Sequence, residues 1–264
     1  MNRDFEFLRV EKHSDGTAVI AIDRPEARNA MSIAAQAELR DALDGCRDDT
    51  RAIVLTGTGK AFCSGVDLKE RRAQTSQRRL AHRGDTWTET NMALYEHPAV
   101  CIAAVNGYAL GGGLTLVNSC DLALAADEAQ LGMPEVTFGA YPAYAGPSSQ
   151  LRMLPKAAAW LILTAERVGG QRAVELGIVN KAVPLSELMD ESLSLAREIA
   201  QRDAVTLDWI KKGLHQVPSH IQDYRQALDY GPLVTQSIRS QSATYTGALS
   251  EIETQGAQRK GAEK

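Results

Sequence analysis

The pattern of apolar and polar positions predicts strands alternating with helices through the first part of the chain, and helices alone after it. Residues 5–13 alternate apolar and charged side chains, Ser14-Asp15-Gly16 reads as a turn, and residues 17–22 resume the apolar run, which together predict a β-hairpin. Ser32 stands as an N-cap before apolar positions at helical spacing through about Cys46. The runs 53–56 and 100–105 predict buried strands, and 86–96 predicts a helix between them. After a helical segment at 114–119, a strand is expected over 120–126 and a loop over 136–147, where Gly139, Pro142 and Gly146 fall. Helices follow at 148–153, 156–166 and 172–176, then a strand at 178–183. From Leu185 the pattern is helical nearly to the end, with breaks expected near Pro218 and Gly231-Pro232 and a frayed polar tail over 256–264. Strands alternating with helices argue for an α/β fold. The expected division is a mixed core over 1–203 and a helical region over 204–264.

One stretch, 103–135, organises the rest. A buried strand turns at Asn106-Gly107 and reaches three consecutive glycines, Gly111, Gly112 and Gly113, at the mouth of a helix. Glycines let a ligand approach the backbone closely. The first N–H groups of a helix have no intrahelical partner and can point at an anion, including a carbonyl oxygen that gains charge during a reaction. The same glycines would equally permit close helix packing.

Composition narrows the options. With 264 residues, 44% hydrophobic and 23% charged, the chain has ample material for a core. A net charge of −4 argues against general nucleic-acid affinity. Residues 98–120 carry no charge and match the length of a membrane span, but Asn106, four glycines, Asn118 and Ser119 interrupt them, so they are expected to be core. Cys46, Cys63, Cys101 and Cys120 show no CxxC spacing and read as reduced thiols. The N-terminus lacks a signal peptide's apolar region, and the expected location is cytoplasmic.

Several familiar motifs fail. Gly59-Lys60 lacks the upstream glycine and the following Ser or Thr of a phosphate loop. Ser64 has Phe62 and Val66 where a nucleophile elbow needs glycines. The histidines at 13, 82, 97, 215 and 220 show no metal spacing and are expected to be structural or on the surface. No dinucleotide fingerprint follows a strand. Three post-strand loops remain. One carries Arg24 and Arg28, one is 61–68 with its small residues, and one is the glycine triplet. Glu135, rigidly placed behind Pro134, suits a general acid or base, or a plain capping carboxylate.

The segments Arg24-Pro25-Glu26-Ala27-Arg28-Asn29-Ala30, Ala61-Phe62-Cys63-Ser64-Gly65-Val66-Asp67-Leu68, Asn106-Gly107-Tyr108-Ala109-Leu110-Gly111-Gly112-Gly113 and Cys120-Asp121, in this order and spacing, resemble the enoyl-CoA hydratase/isomerase (crotonase) superfamily. The resemblance implies a spiral of ββα repeats and a helical C-terminal region that builds a homotrimer or a dimer of trimers. It implies an acyl-CoA thioester substrate, with coenzyme A as part of the substrate and no separate cofactor or metal. It also implies an oxyanion hole from the N–H groups of Val66 and Gly112, and a CoA site using Arg24, Arg28, Ala30, Ser64, Gly65, Asp67, Leu68 and Gly111.

The departure from that pattern is at Thr115. A standard hydratase carries one glutamate two residues after the triplet and another about twenty later; here Thr115 takes the first place and Glu135 the second. A hydroxyl can hold a water, but it is no carboxylate base near neutral pH. A single glutamate at the second position resembles Δ3,Δ2-enoyl-CoA isomerases. A small hydroxyl residue at the first, with Gly169-Gly170-Gln171 and the stretch through Val183-Pro184-Leu185, resembles hydroxycinnamoyl-CoA hydratase-lyases. The expectation is an enzyme that hydrates or dehydrates an unsaturated acyl-CoA, with Glu135 and Thr115 at the reacting centre and Trp87, Tyr141, Tyr144 and Tyr230 as candidates for an aromatic-friendly pocket. The competing reading of another class is a non-catalytic CoA-ester or RNA binder using the basic residues among Leu68–Arg83, which the acidic net charge disfavours.

Overall fold

The computed structural model describes residues 4–67, 69–70, 86–221 and 223–245. It groups the chain into two compact units, 1–200 and 201–264. In the first unit β1 (Leu8–Lys12) and β2 (Thr17–Ile22) form an antiparallel hairpin. Asp15 closes its turn by accepting the Thr17 amide at 3.0 Å. From β2 onward the main sheet is parallel through β3 (Ala52–Gly57), β5 (Val100–Val105), β7 (Leu122–Ala126) and β9 (Lys181–Val183). A second parallel sheet holds three short strands, β4 (Ala61–Cys63), β6 (Tyr108–Leu110) and β8 (Gln130–Gly132).

This topology is a spiral. Each turn sends one strand into the large sheet and the next into the small one, as in β3–β4, β5–β6 and β7–β8. Helix Thr86–Tyr95 precedes the second of these pairs and helix Gly112–Ser119 follows it. The strands β3 and β5 are buried on both faces, which is why they read as unbroken apolar runs. Asn106 fixes the turn between β5 and β6, accepting the Gly57 amide at 3.2 Å and donating to the Gly59 carbonyl at 3.0 Å. So the α/β spiral expected from the motifs is what the chain forms.

Details differ from the pattern-based expectation. Only 181–183 of the segment 178–183 is strand: the Ile178 amide instead closes helix Gly170–Glu175 onto Ala173 at 2.8 Å, and Asn180 exchanges hydrogen bonds with Ala123. The expected loop at 136–147 contains a 3-10 turn, Pro134–Phe138, and the start of helix Ala145–Arg152. Pro147 falls in that helix's first turn, where an amide has no intrahelical acceptor to lose. In the second unit, helices Ala204–His220 and Tyr224–Gln241 are capped by Asp203 and Asp223. The first ends just after Pro218, but Gly231-Pro232 causes no break. Gly231 has no Cβ to clash with the proline ring, and exposed Pro232 leaves the unpaired carbonyl to solvent.

His97 is structural, with Nε2 at 2.9 Å from the Leu43 carbonyl and Nδ1 accepting the Ala99 amide. All four cysteines are buried thiols outside any disulfide. Among the described residues there is no cluster with metal-ligand character, and no helix is long and apolar enough to cross a membrane.

Candidate active site

The glycine triplet sits where the two sheets, helix Gly112–Ser119 and the loop after β4 meet. Gly111 adopts φ 53° and ψ −116°, a backbone state that strains any side-chain-bearing residue. Its amide is spent on the Gly132 carbonyl at 2.9 Å, which ties the helix start to β8. A Cβ on Gly112 would lie 3.0 Å from Gly65 Cα and 3.2 Å from Val66 N, so the Gly112 and Val66 peptides face one another at close quarters. Gly65 (φ 95°) is required for a second reason: a Cβ there would lie 2.9 Å from Gly112 N and cover it.

Local pairing explains why the Val66 amide is left over. Met31 takes both neighbours, donating to Gly65 O at 2.8 Å and accepting from Asp67 N at 3.1 Å. Among the described residues neither the Val66 nor the Gly112 amide donates a hydrogen bond within the chain. The arrangement is two unspent N–H groups among bare glycines, suited to an oxygen atom that gains negative charge.

Glu135 reaches the same place from the 3-10 turn Pro134–Phe138. A Cβ on Gly111 would lie 2.6 Å from Glu135 Oε1, so the carboxylate packs against the bare glycine. Its Oε2 is buried without a hydrogen-bond partner, and burial pushes the pKa above the ordinary glutamate value, against a smaller downward pull from its own backbone amide. Thr115, one turn into the helix, is 5% exposed, and its Oγ1 likewise has no partner. Unpaired buried polar atoms are costly, and these two share a neighbour in Gly111: the Thr115 amide donates to the Gly111 carbonyl at 3.3 Å.

The first two loops are tied together. Arg28 (φ 52°) and Asn29 (φ 56°) are consecutive left-handed residues. Asn29 is fully buried; its Oδ1 accepts the Arg24 amide at 2.9 Å, and its Nδ2 donates to Thr58 O at 3.0 Å and Ala61 O at 2.6 Å. The Ser64 amide donates to Arg28 O at 3.1 Å, and Ser64 Oγ donates to Ala27 O at 3.4 Å. Arg24 donates to the Ala30 carbonyl, sits 3.4 Å from Asp67 Oδ2, and stacks over Phe7. Asp67 Oδ1 accepts the Lys69 and Glu70 amides. Arg24 and Asp67 therefore hold the loops in place, while the Arg28 side chain projects into solvent. Leu68 and residues 71–83 of the charged run lie outside the described residues.

Sequence reasoning missed two members of this neighbourhood. Asn29 was legible in principle, as the residue type that tolerates a left-handed backbone in a turn. Trp87, expected only as a pocket aromatic, packs its ring edge onto Gly112, with Cζ2 3.1 Å from where a Cβ would sit. No local signal announces that contact. Of the other aromatics, Tyr141 is 60% exposed, Tyr144 is half-buried, and Tyr230 belongs to the second unit.

A spiral α/β fold with two unspent amides beside a half-buried carboxylate is an arrangement that can handle an oxyanion and a proton together. The sequence profile of the enoyl-CoA hydratase/isomerase family matches residues 12–253. The chain belongs to the enoyl-CoA hydratase/isomerase family, the membership its motifs had led us to expect, and it is a hydratase-type acyl-CoA enzyme. It is 35% identical over 208 residues to a hydroxycinnamoyl-CoA hydratase-lyase of Pseudomonas fluorescens, covering 75% of each chain. It is 33% identical over 221 residues to a mitochondrial enoyl-CoA hydratase of Pongo abelii, covering 80% of this chain and 74% of the relative. Among solved structures, an enoyl-CoA hydratase subunit I from Geobacillus kaustophilus superposes with a TM-score of 0.83 at 27% identity, covering 96% of this chain and 97% of the other.

Proposed function

We propose that the enzyme adds water across the Cα=Cβ bond of an α,β-unsaturated acyl-CoA, or removes it, with Glu135 as its single acid and base. The observation that carries this reading is the Glu135 carboxylate against Gly111, its Oε2 buried without a hydrogen-bond partner, beside the free Val66 and Gly112 amides. Glu135 takes a proton from water as the water oxygen attacks Cβ. The electron pair moves through Cα to the thioester oxygen, where the two amides stabilise the enolate; one such donor is worth roughly 3–4 kcal/mol of barrier. The protonated Glu135 then delivers its proton to Cα, so one carboxylate closes the cycle. Thr115 orients the water with its spare hydroxyl. CoA lies across the first two loops, with Ala30, Ser64, Gly65 and Gly111 lining its course. Arg28 offers an exposed cation, and Arg24 and Asp67 keep the loops in shape.

A second reading extends the first. The hydratase-lyase from Pseudomonas fluorescens favours carbon–carbon cleavage after hydration: Glu135 takes the β-hydroxyl proton, Cα–Cβ breaks to release an aldehyde, and the resulting enolate is protonated at Cα by the same residue. Product masses from unsaturated acyl-CoA thioesters separate water gain from cleavage and from isomerisation. For the shared site, Glu135→Gln should lose at least about a hundredfold in turnover, in line with removal of a general acid–base. Thr115→Ala should lose about tenfold or less, the worth of one orienting hydrogen bond. CoA-thioester binding should survive in both. Turnover of the wild-type kind in Glu135→Gln would overturn the assignment.

A further inference from the structure

We propose that Trp87 is a positioning residue that fixes the Gly112 amide in the oxyanion hole. Gly112 is crowded where a Cβ would stand: Gly65 Cα, Trp87 Cζ2 and Val66 N would lie 3.0, 3.1 and 3.2 Å from it. Together with the Gly65–Val66 backbone, the ring edge thus closes off the space that a side chain at 112 would need, and packs against the residue whose N–H faces the reacting oxygen. Trp87 is 2% exposed, so the contact is dry. An indole has only two side-chain torsions, and a buried one keeps a planar wall in place at small entropic cost.

The wall is itself anchored. Arg40 Nη1 donates to Thr86 O at 3.2 Å and to Thr90 Oγ1 at 2.6 Å, tying the first turn of helix Thr86–Tyr95 to helix Ile33–Gly45. Asn91 Nδ2 donates to the Trp87 carbonyl at 2.8 Å. Asn91 Oδ1 accepts from Ser119 Oγ at 3.0 Å, and the same hydroxyl lies 2.9 Å from the Thr115 carbonyl. Helix Thr86–Tyr95, and Trp87 with it, is therefore registered against helix Gly112–Ser119 by buried hydrogen bonds. A ring held this way resists displacement of Gly112 when charge builds on the thioester oxygen. Donors preset for the transition state act on kcat more than on ground-state binding.

The inference rests on the oxyanion-hole reading above, and the experiment separates the two. A β-keto thioester, acetoacetyl-CoA, binds as its enolate where two donors face its oxygen, and the enolate has its own ultraviolet band. The wild-type enzyme should show that band on titration. Trp87→Leu should weaken it and lower kcat about 10- to 100-fold, the scale of a misplacement near 1 Å, while KM and the affinity for free CoA stay within about threefold. Trp87→Phe, which keeps an aromatic plane with less reach, should fall between. Preserved kcat and enolate band in Trp87→Leu would overturn the inference, as would a kcat loss matched by equal loss of CoA affinity, the mark of a general packing defect. Absence of the band in the wild-type enzyme would instead overturn the oxyanion-hole reading, and this one with it.

Discussion

Glu135 is stored in the folded state at an energetic cost, and the cost has a sign that can be measured. Burial raises its pKa above the ordinary value of 4.5. Below that value folded and unfolded chains both hold the proton, and the full stability is present. As pH rises through the raised native pKa, the unfolded chain has already released its proton, and stability falls. Glu135→Gln cannot ionise, so its thermal midpoint should exceed that of the wild-type enzyme at neutral pH, with the gap closing below pH 4.5. Activity in the hydration direction should move the opposite way: it needs the carboxylate, so its acid limb should lie above the ordinary glutamate range. A Glu135→Gln variant no more stable than wild type at neutral pH, or an acid limb at 4.5 or lower, would contradict this reading. The glycines and Glu135 stood out in the sequence only as a set, through the resemblance of the motifs in register, because each alone reads as well as packing or capping. The engagement of Arg24 with Ala30 and Asp67 was not legible there, since a sequence shows a cation without its partner.

At the scale of elements, what positions the site is the bracing of short loops by buried side chains. Ser32 Oγ accepts the Ala35 amide at 3.1 Å, and Glu70 accepts the Ile33 amide at 2.9 Å, so the loop after β4 helps cap helix Ile33–Gly45. Asn29 does the equivalent for the first loop with its three hydrogen bonds to Arg24, Thr58 and Ala61. Asn29→Ala removes all three, deprives the Arg24 amide and the Thr58 and Ala61 carbonyls of this partner, and keeps a left-handed backbone that alanine disfavours. We expect it to destabilise the protein by roughly 2–4 kcal/mol and to raise KM for acyl-CoA more than it lowers kcat, because the loops it braces are the ones we propose for CoA and not for the reacting carbons. Denaturant titration and steady-state kinetics check both, and an unchanged KM would detach Asn29 from the CoA site. The main strands, the hairpin and the Ser32 cap were legible because burial, turn chemistry and capping are local. The three-residue strands and the unbroken helix at Gly231-Pro232 were not, since tertiary pairing decides the former and missing Cβ contacts the latter.

At the scale of the whole molecule, the helical unit 201–264 leaves apolar side chains uncovered: Ile210 is 47% exposed, Leu214 67%, Leu228 59% and Leu233 58%. The pattern of the sequence already hinted at this surplus, because Leu207, Ile210, Leu214, Leu228 and Leu233 exceed what two helices can bury against each other. The first unit adds Leu151 at 87%, Leu154 at 76% and Leu163 at 72%, in helix Ala145–Arg152, in the link after it and in helix Pro155–Thr164. Scattered apolar side chains on a surface are ordinary; several leucines this open across two units call for a cover. Covering a fully exposed leucine is worth about 1.5–3 kcal/mol, so a contact that covers several of them on each copy favours association. We propose a trimer or a dimer of trimers of this chain. Light scattering of the wild-type enzyme should give one of those masses, and Leu214→Asp with Leu233→Asp should shift it to smaller species, because each buried unpaired carboxylate opposes association. A monomeric wild-type enzyme at micromolar concentration would contradict the proposal. A variant that stays assembled would move the contact from the 201–264 helices to the leucines at 151, 154 and 163.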